Sequence, residues 1–368
     1  MILWLLFILA IYAPYFMWAN KTHTGWLSKD ENSIKVKGDE QVDISIVIPF
    51  RNEDGVIQIL LEQLIKELPD SLQSEVILIN DHSTDSGVES IQDLLPPSDS
   101  RFKLIHSEKE GKKHALSTGI NAASNDWIIS LDADVVLPNK WFDFISQVCA
   151  TAETDMVILP VELYPTPKLF QKIEALEFTV LQGITFSYAQ QKKAFLANGA
   201  HLAFRKQAFI DFNGYSAHEH MASGDDVFLL EQIQQSPTHS VGYSYYADMS
   251  VTTTPNRSLL QLLHQKARWG SKTFKFKSKE TKTIGLLILV ANLGLFALIF
   301  SQDWKIFFLG FFIKSICDLY LVVFPLTVRS RKTLLKYIPL FMVVYPFYII
   351  FVSVATLFLK PKWKGRYI

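Results

Sequence analysis

Between Asp43 and Leu131 short apolar, β-prone runs alternate with stretches of helical spacing, and that alternation admits few folds. The runs are Ile44–Ile48, Val76–Ile79, Phe102–Ile105 and Trp127–Leu131. Helical spacing covers Val56–Leu68, Val88–Leu95 and His114–Ala123 between them. Strands alternating with helices predict a mostly parallel sheet covered on both faces. In such a sheet the loops that follow the strands converge on one edge, where ligands bind. Arg51-Asn52-Glu53, Asp81 and Asp132-Ala133-Asp134 all follow strands, so one cleft is expected to collect them.

Asp132 and Asp134 fall where the run Trp127–Leu131 ends. A buried strand has no use for two carboxylates one residue apart. At the carboxyl edge of a parallel sheet they suit a hard divalent cation, Mg²⁺ or Mn²⁺, which shares its remaining positions with waters and substrate phosphates. Taken alone, the motif reads more plainly as a solvated Asp-x-Asp turn. The surrounding chain shifts the balance.

After Asp134 the alternation loosens. Asp155–Leu159 reads as a strand, Lys168–Tyr188 as a helix, and Asn198–Phe204 as a strand entered through a tight glycine turn. Gly224-Asp225-Asp226 sets two carboxylates at the start of an apolar helical run. Acidic groups in a first turn are favoured by the helix dipole, so capping is the plainer role for that pair. Ser258–Lys282 is basic and amphipathic. Leu259, Leu260, Leu262, Leu263, Trp269, Phe274 and Phe276 are interleaved there with His264, Lys266, Arg268, Lys272, Lys275 and Lys277. A segment of that kind lies at a membrane surface.

The apolar residues, 49% of the chain, are unevenly placed. Met1–Trp18 carries no charge and is followed by Lys21 rather than a small-residue cleavage site, so it reads as an uncleaved anchor. Ile284–Ser301, Ile306–Leu326 and Ile338–Leu359 are each long enough to cross a bilayer at about 20 residues per helix. As buried core helices they would lack polar sequence to cover them. Asn20–Gln41 is polar and reads as a linker. Lys+Arg and Asp+Glu both number 36, so no net charge points to a nucleic acid partner. Cys149 and Cys317 suggest no disulfide framework.

With these pieces in order, the chain resembles the membrane-bound family 2 glycosyltransferases, which have the GT-A fold. Ile48-Pro49-Phe50-Arg51-Asn52-Glu53 looks like the opening strand and turn. Asn80-Asp81-His82-Ser83-Thr84-Asp85 resembles the Asp-Asp-Gly-Ser-x-Asp nucleotide loop, with Asn80 for the first Asp and His82 for Gly. Gly111-Lys112-Lys113-His114-Ala115-Leu116 is similar to a Gly-Lys-rich helix start, and Asp132-Ala133-Asp134 to the metal motif. Asp225-Asp226-Val227-Phe228-Leu229 resembles Glu-Asp-x-x-Leu with Asp for Glu. Gln265-Lys266-Ala267-Arg268-Trp269 matches Gln-x-x-Arg-Trp, and Trp363-Lys364-Gly365-Arg366 resembles a tail motif of lipid-directed members. Single motifs are weak; this many in order is a strong signal. The resemblance covers residues 43–280 well and the spans loosely.

The resemblance implies an α/β GT-A domain, Rossmann-like and mostly parallel, with transmembrane helices at both ends. The expected boundaries are an anchor at 1–19, a linker at 20–42 and the glycosyltransferase domain at 43–257. An interfacial helix at 258–282, a membrane region of two or three spans at 283–359 and a basic tail at 360–368 follow. It also implies an inverting, metal-dependent transfer from a UDP-sugar to a membrane lipid or lipid-linked acceptor. Asp132 and Asp134 would hold Mg²⁺ or Mn²⁺, with Asp132 also on the substrate side. Asp81 would accept from the uracil base, and Pro49, Arg51 and Glu53 would line the nucleotide site. Lys112 would add charge near the phosphates. Asp226 would be the general base, tuned by Asp225. Arg268 would reach the diphosphate as a fork of donors, with Gln265 and Trp269 lining the substrate. An interfacial anchor is the plainer role for Trp269 and Arg268. His201 would line the acceptor pocket or serve as a core histidine.

A processive polysaccharide synthase needs a larger bundle of spans than four candidates supply. A scaffold that kept the fold without catalysis has no use for Asp132, Asp134, Asp226 and Arg268 together. A nucleotidyltransferase would carry a Gly-rich phosphate loop after the first strand, which Pro49-Phe50-Arg51-Asn52 is not. Lys21 and the basic loop Arg329–Lys336 place the catalytic domain on the cytoplasmic side of a bacterial inner membrane. The equally basic tail leaves one apolar stretch that need not cross, and Pro346 permits a re-entrant hairpin there. Lys314 and Asp318, at i and i+4, are expected to pair within the membrane.

Overall fold

A computed structural model describes the chain except residues 28–32, 37, 165, 217–223, 274–276, 329–330, 360–361, 364–365 and 368, and except the side chains of 247, 272–273, 328, 362–363 and 366–367. In chain order the elements are α1 (Ile2–Leu27), β1 (Ile44–Phe50), α2 (Ile57–Glu67), β2 (Glu75–Asn80), α3 (Gly87–Leu94), β3 (Phe102–His106), α4 (Lys112–Ala122), β4 (Trp127–Leu131), β5 (Val135–Val136), α5 (Trp141–Thr151), β6 (Met156–Ile158) and β7 (Val161–Leu163). They continue with α6 (Leu169–Gln190), β8 (His201–Arg205), α7 (Lys206–Asp211), α8 (Asp225–Gln235), β9 (Val241–Tyr243), β10 (Val251–Thr253), α9 (Leu259–Thr273), α10 (Lys279–Ala297), α11 (Trp304–Val328) and α12 (Ile338–Phe358). Two compact units result. One takes Glu31–Tyr164 and Lys192–Thr254; the other takes Met1–Asp30, Pro165–Gln191 and Pro255–Ile368.

The first unit is built on a seven-stranded sheet in the order β3-β2-β1-β4-β8-β6-β9. β1 runs parallel to β2 and β4, and β2 parallel to β3. β1, β2 and β4 are buried along their whole length, as expected of central strands covered on both faces. The covering helices carry the matching stripe: α2 buries Ile57, Leu60, Leu61 and Leu64 at helical spacing. α4 closes on the sheet at Gly119, where a Cβ would come within 2.6 Å of Ile79 and Val47 side chains. β8 enters antiparallel between β4 and β6, which makes the sheet mixed. Its register sets Leu131 opposite His201 and so brings the lead-in to β8 beside the end of β4. A second sheet orders β5-β10-β7. Part of the expected linker joins the fold: Ile34 N–H donates to Tyr243 O at 2.9 Å, extending pairing beyond β9.

Among the described residues, the second unit holds four helices long and apolar enough to cross a membrane, Ile2–Leu27, Lys279–Ser301, Trp304–Thr327 and Lys332–Phe358. α1 continues past the expected anchor end at residue 19 because Thr22, Gly25 and Trp26 are buried. Ser187 Oγ of α6 donates to Thr22 O at 2.6 Å, and Trp18 Nε1 donates to Tyr188 OH at 3.2 Å. α6 therefore groups with the apolar helices, although the sequence boundary of 43–257 includes it. Pro346 lies inside α12 without breaking it, so the permitted re-entrant hairpin does not form. The stretch 258–282 is two helices rather than one: α9 ends at Thr273 and α10 begins after Ser278, whose Oγ accepts from Thr281 N–H. Phe274 and Lys275 of that stretch, with Phe276, lie outside the described residues, as do Arg329, Ser330, Lys360, Pro361, Lys364 and Gly365. Lys362–Trp363 pairs antiparallel with Arg366–Tyr367. Lys314 Nζ donates to Asp318 Oδ2 at 2.6 Å as expected, and Tyr15 OH takes the other carboxylate oxygen at 2.8 Å.

Candidate active site

The α/β unit brings four separate segments together at the carboxyl end of β4. Asp81, which follows β2, accepts from Gly111 N–H on Oδ1 at 2.7 Å and so fixes the turn that opens α4. Gly111 has φ of +121°, which a side chain would resist, and Lys112 is the next residue. Lys112 Nζ lies 2.7 Å from Asp132 Oδ1 and 3.6 Å from Asp225 Oδ2. Asp226 accepts from Gly199 N–H on Oδ2 at 3.0 Å and from Val227 N–H on Oδ1 at 2.9 Å. Gly199 O in turn accepts from Ser130 Oγ at 3.3 Å. A Cβ on Gly199 would sit 3.2 Å from Asp225 Oδ2, so a bare backbone is what lets the segments approach.

The capping expectation for the acidic pair holds in part: both lie in the first turn of the helix, but neither is its N-cap. Gly224, left-handed at φ +89°, caps α8, and Asp225 and Asp226 are its first two residues. Asp226 keeps one oxygen on a first-turn donor, the Val227 N–H, and reaches across to Gly199 with the other. Burial and the neighbouring Asp225 charge push the Asp226 carboxyl above its ordinary range, with Lys112 and the two N–H donors opposing. Burial works against the Lys112 ammonium, but Asp132 and Asp225 outweigh it and hold it charged well above its ordinary range. Burial also raises Asp81, against Gly111 N–H and Arg51.

The remaining assigned residues occupy more varied places. Pro49 is buried in β1 opposite Ile79. Arg51 Nη1 donates to Asp81 O at 2.9 Å and to His82 O at 2.8 Å, so its guanidinium braces the loop after β2. His82, which stands where the resembling loop has Gly, keeps a left-handed φ of +53°. Glu53 O accepts from Val56 and Ile57 N–H and starts α2. Asp134 Oδ2 accepts from Thr253 Oγ1 at 3.3 Å. Gln265, Arg268 and Trp269 lie on α9 in the helical unit, with Lys266 Nζ 4.7 Å from the Trp269 ring centroid. His201 is a core histidine. Trp141 Nε1 donates to its Nε2 at 3.1 Å, Pro160 O lies 2.9 Å from its Nδ1, and burial pushes its pKa down to about 4.

Sequence reasoning missed Gly199 as a partner of Asp226; the Asn198-Gly199 turn was the available signal. It also missed Glu174 and Glu177, buried on α6, since carboxylates one turn apart read as a solvated face.

Asp132 and Asp134 offer hard carboxylate oxygens at a partly exposed strand end, the donor type that Mg²⁺ and Mn²⁺ take. No group of three His, Cys, Asp or Glu suited to a metal occurs among the described residues. Two carboxylates fit a cation completed by water and phosphate, and do not fit an all-protein cage.

Residues 45–212 match the family described as Glycosyl transferase family 2. The undecaprenyl-phosphate 4-deoxy-4-formamido-L-arabinose transferase of Proteus mirabilis is 33% identical over 30% of this chain and 33% of its own length. The poly-beta-1,6-N-acetyl-D-glucosamine synthase of Staphylococcus epidermidis is 37% identical over 28% of this chain and 25% of its own. The chain spans between 23% and 44% of the length of the curated relatives it matches. Among solved structures, the mannosyltransferase PcManGT from Pyrobaculum calidifontis, in complex with GDP-Man and Mn²⁺, superposes with a TM-score of 0.60 at 16% identity. That match covers 96% of this chain and 98% of the other. The fold is thus GT-A-like, a mostly parallel α/β sheet with apolar helices at both ends of the chain.

Proposed function

We propose that the protein is an inverting glycosyltransferase that moves a sugar from a nucleoside diphosphate sugar, a UDP-sugar by resemblance, to a membrane lipid or lipid-linked acceptor. The observation that carries this reading is the meeting of Asp226, Asp225, Lys112 and Asp132 around Gly199. Transfer forms a bond between the acceptor oxygen and the anomeric carbon and breaks the bond from that carbon to the diphosphate. The acceptor hydroxyl proton goes to the Asp226 carboxylate, whose two backbone N–H bonds fix its direction. Its raised pKa moves it nearer the working pH of a general base. Asp225, beside Lys112, tunes that base.

Asp132 and Asp134 would hold a Mg²⁺ or Mn²⁺ ion, which supplies Lewis-acid neutralisation of the leaving diphosphate when bound. Asp81 takes the base edge, with Glu53 on the same nucleoside and Pro49 and Arg51 shaping the loops around it. Arg268 takes diphosphate oxygens, and Gln265 and Trp269 line the substrate. Four candidate spans favour a single addition over secretion of a polymer. The proposed location of the α/β unit is the cytoplasmic side of a bacterial inner membrane, a reading supported by the basic residues beside the spans.

The test is purified protein with radiolabelled UDP- and GDP-sugars, total membrane lipid and Mg²⁺ or Mn²⁺. Label should move into lipid with inversion at the anomeric carbon. No transfer from any donor, with nucleotide still bound, would point instead to a sugar-nucleotide binding scaffold.

A further inference from the structure

The helical unit holds a chain of hydrogen bonds whose direction is forced. On α6, Glu174 and Glu177 stand one turn apart and are both buried. Glu177 Oε2 takes Lys266 Nζ of α9 at 2.8 Å and Tyr348 OH of α12 at 3.1 Å. Glu174 Oε1 accepts twice from Asn256, from Nδ2 at 2.6 Å and from the backbone N–H at 3.3 Å. Asn256 Nδ2 donates its second proton to Gln265 Oε1 at 2.9 Å. Gln171 Nε2 holds the Asn256 carbonyl at 2.8 Å, so the segment before α9 is pinned at both ends of one residue.

A carboxylate oxygen only accepts, and Oε1 accepts whether or not Oε2 carries a proton. Asn256 must therefore turn its NH₂ toward Glu174. The same NH₂ can meet only an acceptor on Gln265, so the Gln265 amide places Oε1 inward and Nε2, with both protons, away from Asn256. Arg268 follows Gln265 by three residues and shares its helix face. We infer that Glu174 and Asn256 are positioning residues: they preset Gln265 as a donor, so that the Gln265–Arg268 face of α9 offers N–H groups alone, toward a phosphate oxygen. Without them the amide turns over freely and presents a carbonyl to the anion half of the time or more. This inference rests on the proposed placement of Gln265 at the substrate.

A double-mutant cycle tests it on the full-length protein, with UDP and, separately, a polyprenyl phosphate in nanodiscs as probes and thermal unfolding as the folding control. Gln265→Ala should weaken the phosphate-bearing probe about tenfold, the worth of one hydrogen bond to a charged group, and Asn256→Ala and Glu174→Leu about twofold, the cost of a donor orientation held only half of the time. Uridine binding should not change. Glu174→Gln keeps an acceptor oxygen for Asn256 and should bind as the unmodified protein does. Gln265→Glu keeps the inward acceptor but offers no donor, and should fall as far as Gln265→Ala while staying folded. In the Gln265→Ala background, Asn256→Ala should cost nothing more. The probe that shows this coupling identifies the source of the phosphate. Equal losses from Asn256→Ala in both backgrounds, or full binding by Gln265→Glu, overturn the inference and leave the glycosyltransferase reading intact. An unmodified protein that binds neither probe overturns that reading itself.

Discussion

Lys112 Nζ donates to Asp132 Oδ1 at 2.7 Å, so the first residue of α4 neutralises the carboxylate that closes β4. The same ammonium holds down the raised pKa of Asp226. Lys112→Met should therefore push Asp226 further up. The acidic limb of kcat/KM, which reports the base in the free enzyme, should move to higher pH. Lys112→Arg should move it less. A pH–rate profile checks both, and an unmoved limb in Lys112→Met would break the link between Lys112 and the base.

Asp226→Asn should slow single-turnover transfer by about 10²–10⁴-fold with UDP affinity nearly kept. Both oxygens of Asp226 accept backbone N–H groups, so the new NH₂ must face either Gly199 or Val227. A stability loss of about 1–3 kcal/mol should accompany the rate loss. Asp225→Asn should be milder in rate. Near-normal transfer by Asp226→Asn would remove it as the base.

Asp132→Ala and Asp134→Ala should abolish the part of nucleotide affinity that responds to Mn²⁺. Calorimetric titration of UDP with and without the metal reads this directly. A mutant whose UDP affinity still rises on adding Mn²⁺ as in the unmodified protein would place the ion elsewhere. Asp81→Ala should raise KM more than it lowers kcat, since a contact to the base is the same in ground and transition states.

His201 predicts a loss of stability in acid. Its folded pKa, about 4, lies below the ordinary histidine value of 6.5. As pH falls through that ordinary value the unfolded chain takes up the proton first, so stability is full above it and declines toward pH 4. The loss approaches roughly 3 kcal/mol at the acid end. Melting temperatures at descending pH should fall less steeply in His201→Asn than in the native chain, after allowing for the lost Trp141 bond. Parallel slopes would assign the acid sensitivity to other groups.

The strands that carry the site were legible because burial on both faces leaves an unmistakable apolar run, as in Ile44–Phe50 and Trp127–Leu131. The carboxylates stood out against those runs. Partner order was not legible: nothing in His201–Arg205 says that it inserts antiparallel beside β4, so the Asn198-Gly199 turn was visible but its bond to Asp226 was not. His201 shows the same limit, since a histidine reads alike whether its ring nitrogens face a ligand or Trp141 and Pro160. The roles of Glu174 and Glu177 depend on Asn256, Lys266 and Tyr348, residues remote in sequence, and no local pattern encodes such partners.

The excursion of α6 out of the α/β unit has a consequence for biosynthesis. A chain is made from its N-terminus, and domains tend to fold as they emerge. The seven-stranded sheet is complete once Tyr243 has left the ribosome, whereas the partners of Glu177 on α9 and α12 are still enclosed by the ribosome or untranslated. For that interval α6 exposes two carboxylates that the finished molecule buries, tethered at both ends to a sheet already formed. A nascent chain arrested when Thr254 has cleared the ribosome and α12 is still untranslated should therefore protect its β-strands from protease while α6 remains cleavable, and release of the arrest should silence that site.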